Sequence, residues 1–141
     1  MRKIAILFAI TLSIGCVSTS TTPVLEHDRN YVVEWIGSQP LIDRSRLSVT
    51  LNENNQASGF AGCNNWSAQY HLREQFLEFE DISTTRKLCA PSLMQQEQRF
   101  LDALSQVHRW SFSQTGQLQL WFAPDNAILL WPDTSKQIKE P

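Results

Sequence analysis

The sequence predicts an α+β domain that is mainly antiparallel β, with a meander-type sheet of about seven strands and one α-helix. From Tyr31 onward, apolar residues alternate with polar ones in short runs, as they do in strands with one buried face. Clusters of turn residues separate these runs, and one segment changes to helical spacing. The five Trp and seven Phe among 141 residues are also typical of strand-rich domains.

Two hairpins are predicted after a first strand that begins at Tyr31. In each hairpin, two alternating runs flank a stretch of turn residues, which is the usual signature of paired antiparallel strands. The first hairpin has strands at 47–51 and 56–61 around a turn at 52–55, and the second has strands at 66–72 and 76–82 around a turn at 73–75.

The segment from Pro91 to Gln106 is predicted to be an amphipathic helix, with Pro91 in its first turn. Arg99 and Asp102 fall on the opposite side of this helix and are expected to face solvent. The residues that recur at spacings of three and four are Leu93, Glu97, Phe100, Leu101, Leu104 and Val107.

A meander of three strands is predicted at the C-terminal end. The runs 110–112 and 118–122 alternate, and turn residues follow each of them. The last run, 127–131, is apolar at every position. This predicts a strand that is central in the sheet or covered on both sides.

The first 15 residues have the layout of a bacterial lipoprotein signal. Basic residues precede the apolar run 4–10, and the small residue Gly15 stands directly before Cys16. This layout resembles the lipobox pattern, in which the cysteine becomes the acylated first residue of the mature chain, although Ser13 stands where Leu is usual. The alternatives are an ordinary cleaved secretory signal or a short N-terminal anchor.

A lipid on Cys16 would attach the protein to a membrane of the bacterial cell envelope. Val17 follows the cysteine, where an Asp would favour the inner membrane, so we expect the outer membrane, with the domain facing the periplasm. Residues 16–30 are small, polar and without periodicity, and are predicted to form a flexible tether. The domain is expected at 31–133, and a polar tail at 134–141.

Cys63 and Cys89 are the two cysteines left when Cys16 is acylated. An exported domain meets an oxidising compartment, so one intramolecular disulfide is the leading interpretation. The alternative is a metal site, which would need His27, His71 or His108 to converge on the pair. None of these lies at a usual ligand spacing from a cysteine, so we expect no metal and no other cofactor.

Linked motifs carry a family resemblance. Residues 58–70 read Ser-Gly-Phe-Ala-Gly-Cys-Asn-Asn-Trp-Ser-Ala-Gln-Tyr, residues 85–89 read Thr-Arg-Lys-Leu-Cys, and residues 97–104 follow with the pattern Glu-x-x-Phe-Leu-x-x-Leu. Together with Glu-Trp-Ile-Gly at 34–37, these motifs resemble the META/HslJ-like domain over roughly residues 31–132.

This resemblance implies a compact α+β domain that is often found in envelope lipoproteins and has no catalytic residues. Its fold is similar to the cracked barrel of secretion-system pilot lipoproteins, so a cracked barrel is the alternative to an open meander. Members of the family are associated with heat shock, envelope stress, motility or secretion. These are associations, because a fold does not fix a function.

The corner around Cys63 has two interpretations. In the architectural one, Gly59 and Gly62 allow a bulge or a positive backbone angle, and the disulfide ties the corner to the start of the helix. In the functional one, polar side chains around the disulfide form a recognition site. Its members are Asn64, Asn65, Thr84, Thr85 and Arg86.

Catalysis is not expected of this sequence. It contains no Gly-x-Ser-x-Gly elbow and no Gly-rich phosphate loop, and its two domain cysteines are better paired with each other. Glu78, Glu80 and Asp81 are interpreted as solvent-facing carboxylates of one strand. A net charge of −2 with interspersed signs gives no reason to expect a nucleic acid partner.

Two functions without catalysis remain. The preferred one is a membrane-tethered module that binds another envelope protein or protects it under stress, with an exposed aromatic residue such as Trp121 marking the contact patch. The alternative is the binding of a hydrophobic ligand, such as a lipid or acyl chain, within the barrel. The residues expected to line that cavity are Trp66, Tyr70, Phe100, Trp110 and Phe112.

Overall fold

The computed structural model describes residues 24–135, and its elements follow the predicted order. Helix α1 covers Pro91–Leu104. The strands are β1 Asn30–Ile36, β2 Gln39–Pro40, β3 Ser48–Leu51, β4 Gln56–Phe60, β5 Asn65–Arg73, β6 Phe76–Thr84, β7 Arg109–Phe112, β8 Leu118–Ala123 and β9 Asn126–Pro132.

The strands form one antiparallel sheet in the order β6-β5-β4-β3-β1-β9-β8-β7, with β2 paired to β1 off this path. The two outer strands of the sheet meet at one end. The Trp110 amide of β7 donates to the carbonyl of Gln75 at 3.0 Å, and the Leu77 amide of β6 donates to the carbonyl of His108 at 3.4 Å. The sheet therefore curves into a half-barrel whose outer strands touch at one end. The predicted α+β class is confirmed.

The described sheet has nine strands where the sequence predicts about seven. β2 has only two residues, which is too short to show any periodicity in the sequence. The continuously apolar strand β9 is paired on both of its edges, with β1 and with β8, as its composition predicts.

β1 lies in the middle of the sheet, between β3 and β9. Tyr31 and Val33 face the core, and the pairing with β9 then shifts register between Val33 and Trp35. This bulge turns both Glu34 and Trp35 outward and returns Ile36 to the core. The outer face of the sheet thereby gains an aromatic side chain that strict alternation would not place there.

α1 begins at Pro91, in the position where a missing N–H has no cost. Its apolar face covers the sheet, with Phe100 and Leu104 fully buried. Asp102 is exposed as predicted, whereas Arg99 is only partly exposed and its Nε is buried. The expectation that Arg99 faces solvent is therefore wrong for the inner part of its side chain.

The packed domain begins earlier than predicted. Leu25 is 4% exposed within the core, and the amide of Asp28 donates to the carbonyl of Leu51 at 2.7 Å. Residues 24–30 therefore belong to the domain, and the predicted boundary at Tyr31 is too late.

Several predicted segments lie outside the described residues. They are the signal at 1–15, Cys16 with the tether as far as residue 23, and the tail from residue 136. Within residues 24–135, no helix is long and apolar enough to cross a membrane.

Candidate functional site

A disulfide joins the loop between β4 and β5 to the segment that precedes α1. It links Cys63 to Cys89, 26 residues apart in sequence, with their Cα atoms 6.0 Å apart. This is the predicted pairing. Neither sulfur is left as a thiolate, so the metal alternative has no cysteine ligand to use. His71, one of its supposed partners, instead contacts Glu80 at 3.2 Å.

Asn64 stands next to the disulfide and is 3% exposed. Its backbone N–H and its Nδ2 donate to the two carboxylate oxygens of Glu97, at 2.7 and 2.8 Å. Its Oδ1 accepts from the hydroxyl of Thr85 at 2.8 Å and from the amide of Lys87 at 2.7 Å. Asn64 thus joins the β4–β5 loop, the segment after β6 and α1, and both ends of its amide are occupied within the protein.

Of the other four members of the predicted recognition site, Asn65 follows Asn64 in the chain, and Thr84 and Arg86 flank Thr85, which bonds to it. The amide of Asn65 donates to Thr85 Oγ1 at 3.2 Å, and the amide of Thr85 donates to the carbonyl of Asn65 at 3.0 Å. Asn65, Thr84, Thr85 and Arg86 are all exposed. The structure therefore brings the five residues together, but Asn64 offers no free polar group to a ligand.

The glycines of this corner are needed for two different reasons. Gly62 has a φ of +100°, which is the expected left-handed conformation. Gly59 is needed because a Cβ there would collide with the backbone oxygen of Ser48 and lie 2.8 Å from Trp66 Nε1. That Nε1 donates to the same Ser48 oxygen at 3.1 Å. The indole of Trp66 therefore crosses over Gly59, which supports the architectural interpretation.

A second candidate site lies on the outer face of β1 and β9, next to the start of β8. We call Trp35, Trp131, Leu129, Glu34 and Gln117 the tryptophan face. Trp35 lies opposite Leu129, and Trp131 is the next outward residue of β9. The two tryptophans are 37% and 38% exposed. Glu34 Oε2 accepts from Trp131 Nε1 at 2.9 Å and from Gln117 Nε2 at 2.8 Å, which fixes the orientation of the Trp131 ring.

Trp121, which the sequence analysis expects to mark a contact patch, is partly buried. The guanidinium carbon of Arg109 lies 4.7 Å from the centroid of its ring, a cation–π geometry. Its Nε1 donates to the hydroxyl of Ser111 at 2.9 Å. Trp121 is therefore held by β7, and Trp35 and Trp131 are the more exposed indoles.

The aromatic residues expected to line a ligand cavity are packed within the domain. Trp66, Tyr70 and Phe100 are buried in the core, and the rings of Trp66 and Phe100 contact each other with centroids 6.0 Å apart. Trp110 and Phe112 are partly buried and pack edge to face at 5.7 Å. Tyr70 donates its hydroxyl to the carbonyl of Asn52 at 2.8 Å, so all five side chains have structural contacts.

A protein-family model identifies the family of this chain. The family model of the META domain matches residues 24–135. The chain belongs to the META domain family. The match includes residues 24–30, in agreement with the burial of Leu25. Among curated proteins, no match to the chain is found.

Two solved structures are similar to this META domain. One is the NMR structure of a protein from Burkholderia xenovorans, which is 24% identical, with a TM-score of 0.64, over 77% of this chain and 83% of that one. The other, also an NMR structure, is 21% identical, with a TM-score of 0.57, over 72% of this chain and 86% of that one. At these identities the likeness concerns the fold alone.

Two features of the META domain are missed by the sequence analysis. Glu97 binds Asn64, and the signal that could have found it is a carboxylate on the apolar side of α1, where it is 8% exposed. Trp35 and Trp131 form an exposed pair only because of the bulge in β1. No local signal distinguishes the consecutive outward residues Glu34 and Trp35 from an ordinary alternating strand.

Proposed function

We propose that this META domain protein is a non-enzymatic lipoprotein of the bacterial envelope, anchored through Cys16, which binds another envelope protein through the tryptophan face. The observation that carries the proposal is the exposure of Trp35 and Trp131, at 37% and 38%, on one face of the sheet. Tryptophan is enriched in protein interfaces because it combines a large apolar area with a polar N–H.

The hydrogen bonds within the tryptophan face support this function. Glu34 holds the indole of Trp131 and the amide of Gln117 before any partner arrives. A side chain that is already oriented loses less conformational entropy when a partner covers it. The complementary surface on the partner is apolar at its centre and has hydrogen-bond donors at its rim, facing Glu34.

The signal-like sequence of residues 1–15 supports the anchor. Acylation of Cys16 would attach the protein to the membrane, and we propose the periplasmic side of the outer membrane as its location. The eight residues 16–23 reach at most about 28 Å when fully extended. The partner therefore lies close to the membrane surface or has a part that does.

Replacement of the acylation site tests the anchor. We expect Cys16→Ala to move the protein from the membrane fraction to the soluble fraction of cells, or to leave its signal uncleaved, and to remove the mass of the acyl groups. Mass spectrometry of the wild-type protein and the variant measures this. A wild-type mass without acyl chains would contradict the lipoprotein assignment.

Replacement of the exposed indoles tests the binding surface. The double variant Trp35→Thr with Trp131→Thr keeps strand-compatible residues and removes the aromatic area. We expect cross-linking in intact cells to capture one partner with the wild-type protein and to lose it with the double variant. Phe76→Thr is the control, because Phe76 is 65% exposed at the start of β6, outside the tryptophan face.

Cross-linking that is equal for the wild-type protein and the double variant would contradict this surface. Native mass spectrometry of the protein, extracted in mild detergent, distinguishes the alternative function. A lipid bound at near-unit stoichiometry, beyond the acyl groups on Cys16, would support a carrier of hydrophobic ligands. A mass without such a lipid supports the binding of another envelope protein instead.

A further inference from the structure

A cleft of about 650 Å³ opens between α1 and the turns that follow β1 and β8. This volume is within the range of small-molecule binding sites. The β1–β2 hairpin contributes Gly37, Ser38 and Gln39, and the β8–β9 hairpin contributes Phe122 and Asn126. No residue of the tryptophan face lines the cleft, so it is a separate feature of the domain.

Arg99 brings a positive charge to this cleft from the middle of α1. A guanidinium stays charged at any physiological pH. Within residues 24–135, no carboxylate forms an ion pair with Arg99, and its Nε–H is buried without an acceptor. Because the Nε–H is closed off from solvent while the residue as a whole is partly exposed, the terminal N–H groups of the guanidinium are the ones that a ligand in the cleft can reach.

The rest of the lining is mostly neutral and polar. Side-chain amides are able to donate and to accept hydrogen bonds, and so match amide or hydroxyl groups of a ligand. Apolar area comes from Ile36, Ala103 and Phe122. The amides that line the cleft are those of Gln39, Gln95, Gln98, Gln106 and Asn126.

Asp102 is the one carboxylate among the described lining residues. Its Oδ1 accepts from Gln98 Nε2 at 2.8 Å. A second negative charge beside Asp102 is repelled, whereas an N–H or O–H donor is attracted. Asp102 therefore favours one orientation of a ligand, with its acidic group towards Arg99 and its donors towards Asp102.

We propose that this cleft binds a small ligand through a carboxylate that pairs with the guanidinium of Arg99. The two groups match in shape, since parallel N–H groups of arginine donate to both carboxylate oxygens. The surrounding amides bind the neutral polar groups next to that carboxylate. An acylated dipeptide and a sugar acid both have this chemistry.

NMR titration of the isotope-labelled protein tests the proposal. The Nε–H signal of Arg99 is the reporter, because its burial slows exchange with water. Two pairs of probes are used, each made of an acid and its neutral counterpart. The first pair is N-acetyl-alanyl-alanine and the same dipeptide as its C-terminal amide, and the second is D-glucuronate and D-glucose. We expect one acid, and not its neutral counterpart, to shift the Arg99 signal and the side-chain amides of Gln95 and Gln106 saturably. The acid that does so identifies the source of the carboxylate.

Three variants complete the test. Arg99→Gln removes the charge and is expected to weaken binding of that acid by about tenfold or more. Arg99→Lys keeps the charge without the paired N–H groups, and its affinity for that acid is expected to lie between those of the wild type and Arg99→Gln. Arg73→Gln removes an exposed charge at the end of β5 and is expected to bind as the wild type does.

Three results would each overturn the proposal. They are an absence of saturable shifts with both acids at concentrations on the order of 10 mM, equal shifts with a neutral counterpart, and unchanged affinity in Arg99→Gln. The comparison of each acid with its neutral counterpart uses the wild-type protein, so it does not depend on how the variants fold.

Discussion

Asn64 is a buried residue that makes several hydrogen bonds in the corner around Cys63. Asn64→Ala leaves Glu97 Oε1 and the amide of Lys87 without the partners they have now. We therefore expect the free energy of unfolding to fall by about 3 kcal/mol. Asn65→Ala, at the exposed neighbouring position, is expected to change it by less than about 0.5 kcal/mol. Urea denaturation measures both, and similar losses in the two variants would contradict the role of Asn64.

Asp133 gives the domain a dependence on acidic pH. Hydrogen bonds from Ser135, then one from Asn30, and the charge of Arg46 lower the pKa of this carboxyl from 3.8 to about 2. Because the pKa is lower in the folded state, the ionised form stabilises the domain above about pH 4, and this stabilisation is lost as the pH falls towards about 2.

Asp133→Asn removes that titration. We expect the variant to have a lower melting temperature than the wild type at pH 6, and the difference to shrink as the pH is lowered to 2. Thermal unfolding followed by circular dichroism at a series of pH values measures this. A difference that stays constant over the whole series would show that Asp133 does not contribute in its ionised form.

At the residue scale, the sequence predicts that five polar residues share one corner, but it does not reveal which of them are exposed. Asn64 and Asn65 are neighbours of the same type, and one is buried while the other is exposed. The expectation that Arg99 faces solvent fails for a related reason. Periodicity gives the side of a helix on which a residue lies, but the turns that close over that side come from other parts of the chain.

The disulfide acts at the scale of elements, because it ties the β4–β5 loop to the start of α1. Closing a loop of this length stabilises the fold by about 3.5 kcal/mol on the chain-entropy model. We expect Cys63→Ser and Cys89→Ser to lower the free energy of unfolding by similar amounts, and the double variant to lose no more than either. Guanidinium denaturation without reductant measures this, and clearly additive losses would contradict a shared bond.

The strands and the helix could be predicted because each buries one face in a common core, which imposes a period of two or about 3.6 on the sequence. The predicted helix from Pro91 to Gln106 contains all of α1. The bulge in β1 could not be predicted in this way. It depends on the register between Trp35 and Leu129, which lie far apart in the chain.

At the scale of the whole molecule, the half-barrel is joined at the contact between β6 and β7. Trp110 contributes twice to this contact, through its amide to Gln75 and through its indole N–H to the carbonyl of Glu74 at 2.8 Å. Trp110→Phe removes the indole bond and keeps an aromatic ring and the backbone bond to Gln75. We expect hydrogen exchange to become faster at the amide of Leu77, which bonds across the contact, and to stay unchanged at the amide of Val33 in the sheet centre.

Hydrogen exchange followed by NMR checks this prediction. Equal acceleration at Leu77 and Val33 would mean that the whole domain had been destabilised, and no acceleration at Leu77 would mean that the indole bond does not hold the contact. The strand order itself could not be derived from the sequence, because periodicity shows which face of a strand is buried but not which strands are its neighbours.

The central position of β1 has a mechanical consequence. β1 is the first strand of the domain, and a pull on the N-terminal end of the chain meets first the packing of Leu25 and the hydrogen bond of Asp28, and then β1. Hydrogen bonds of an antiparallel ladder run perpendicular to the strands. A force along β1 shears the ladders to β3 and β9 at the same time, whereas an edge strand has one ladder to resist it. Pairing on both edges therefore makes β1 a strand that two ladders hold against a load along its axis.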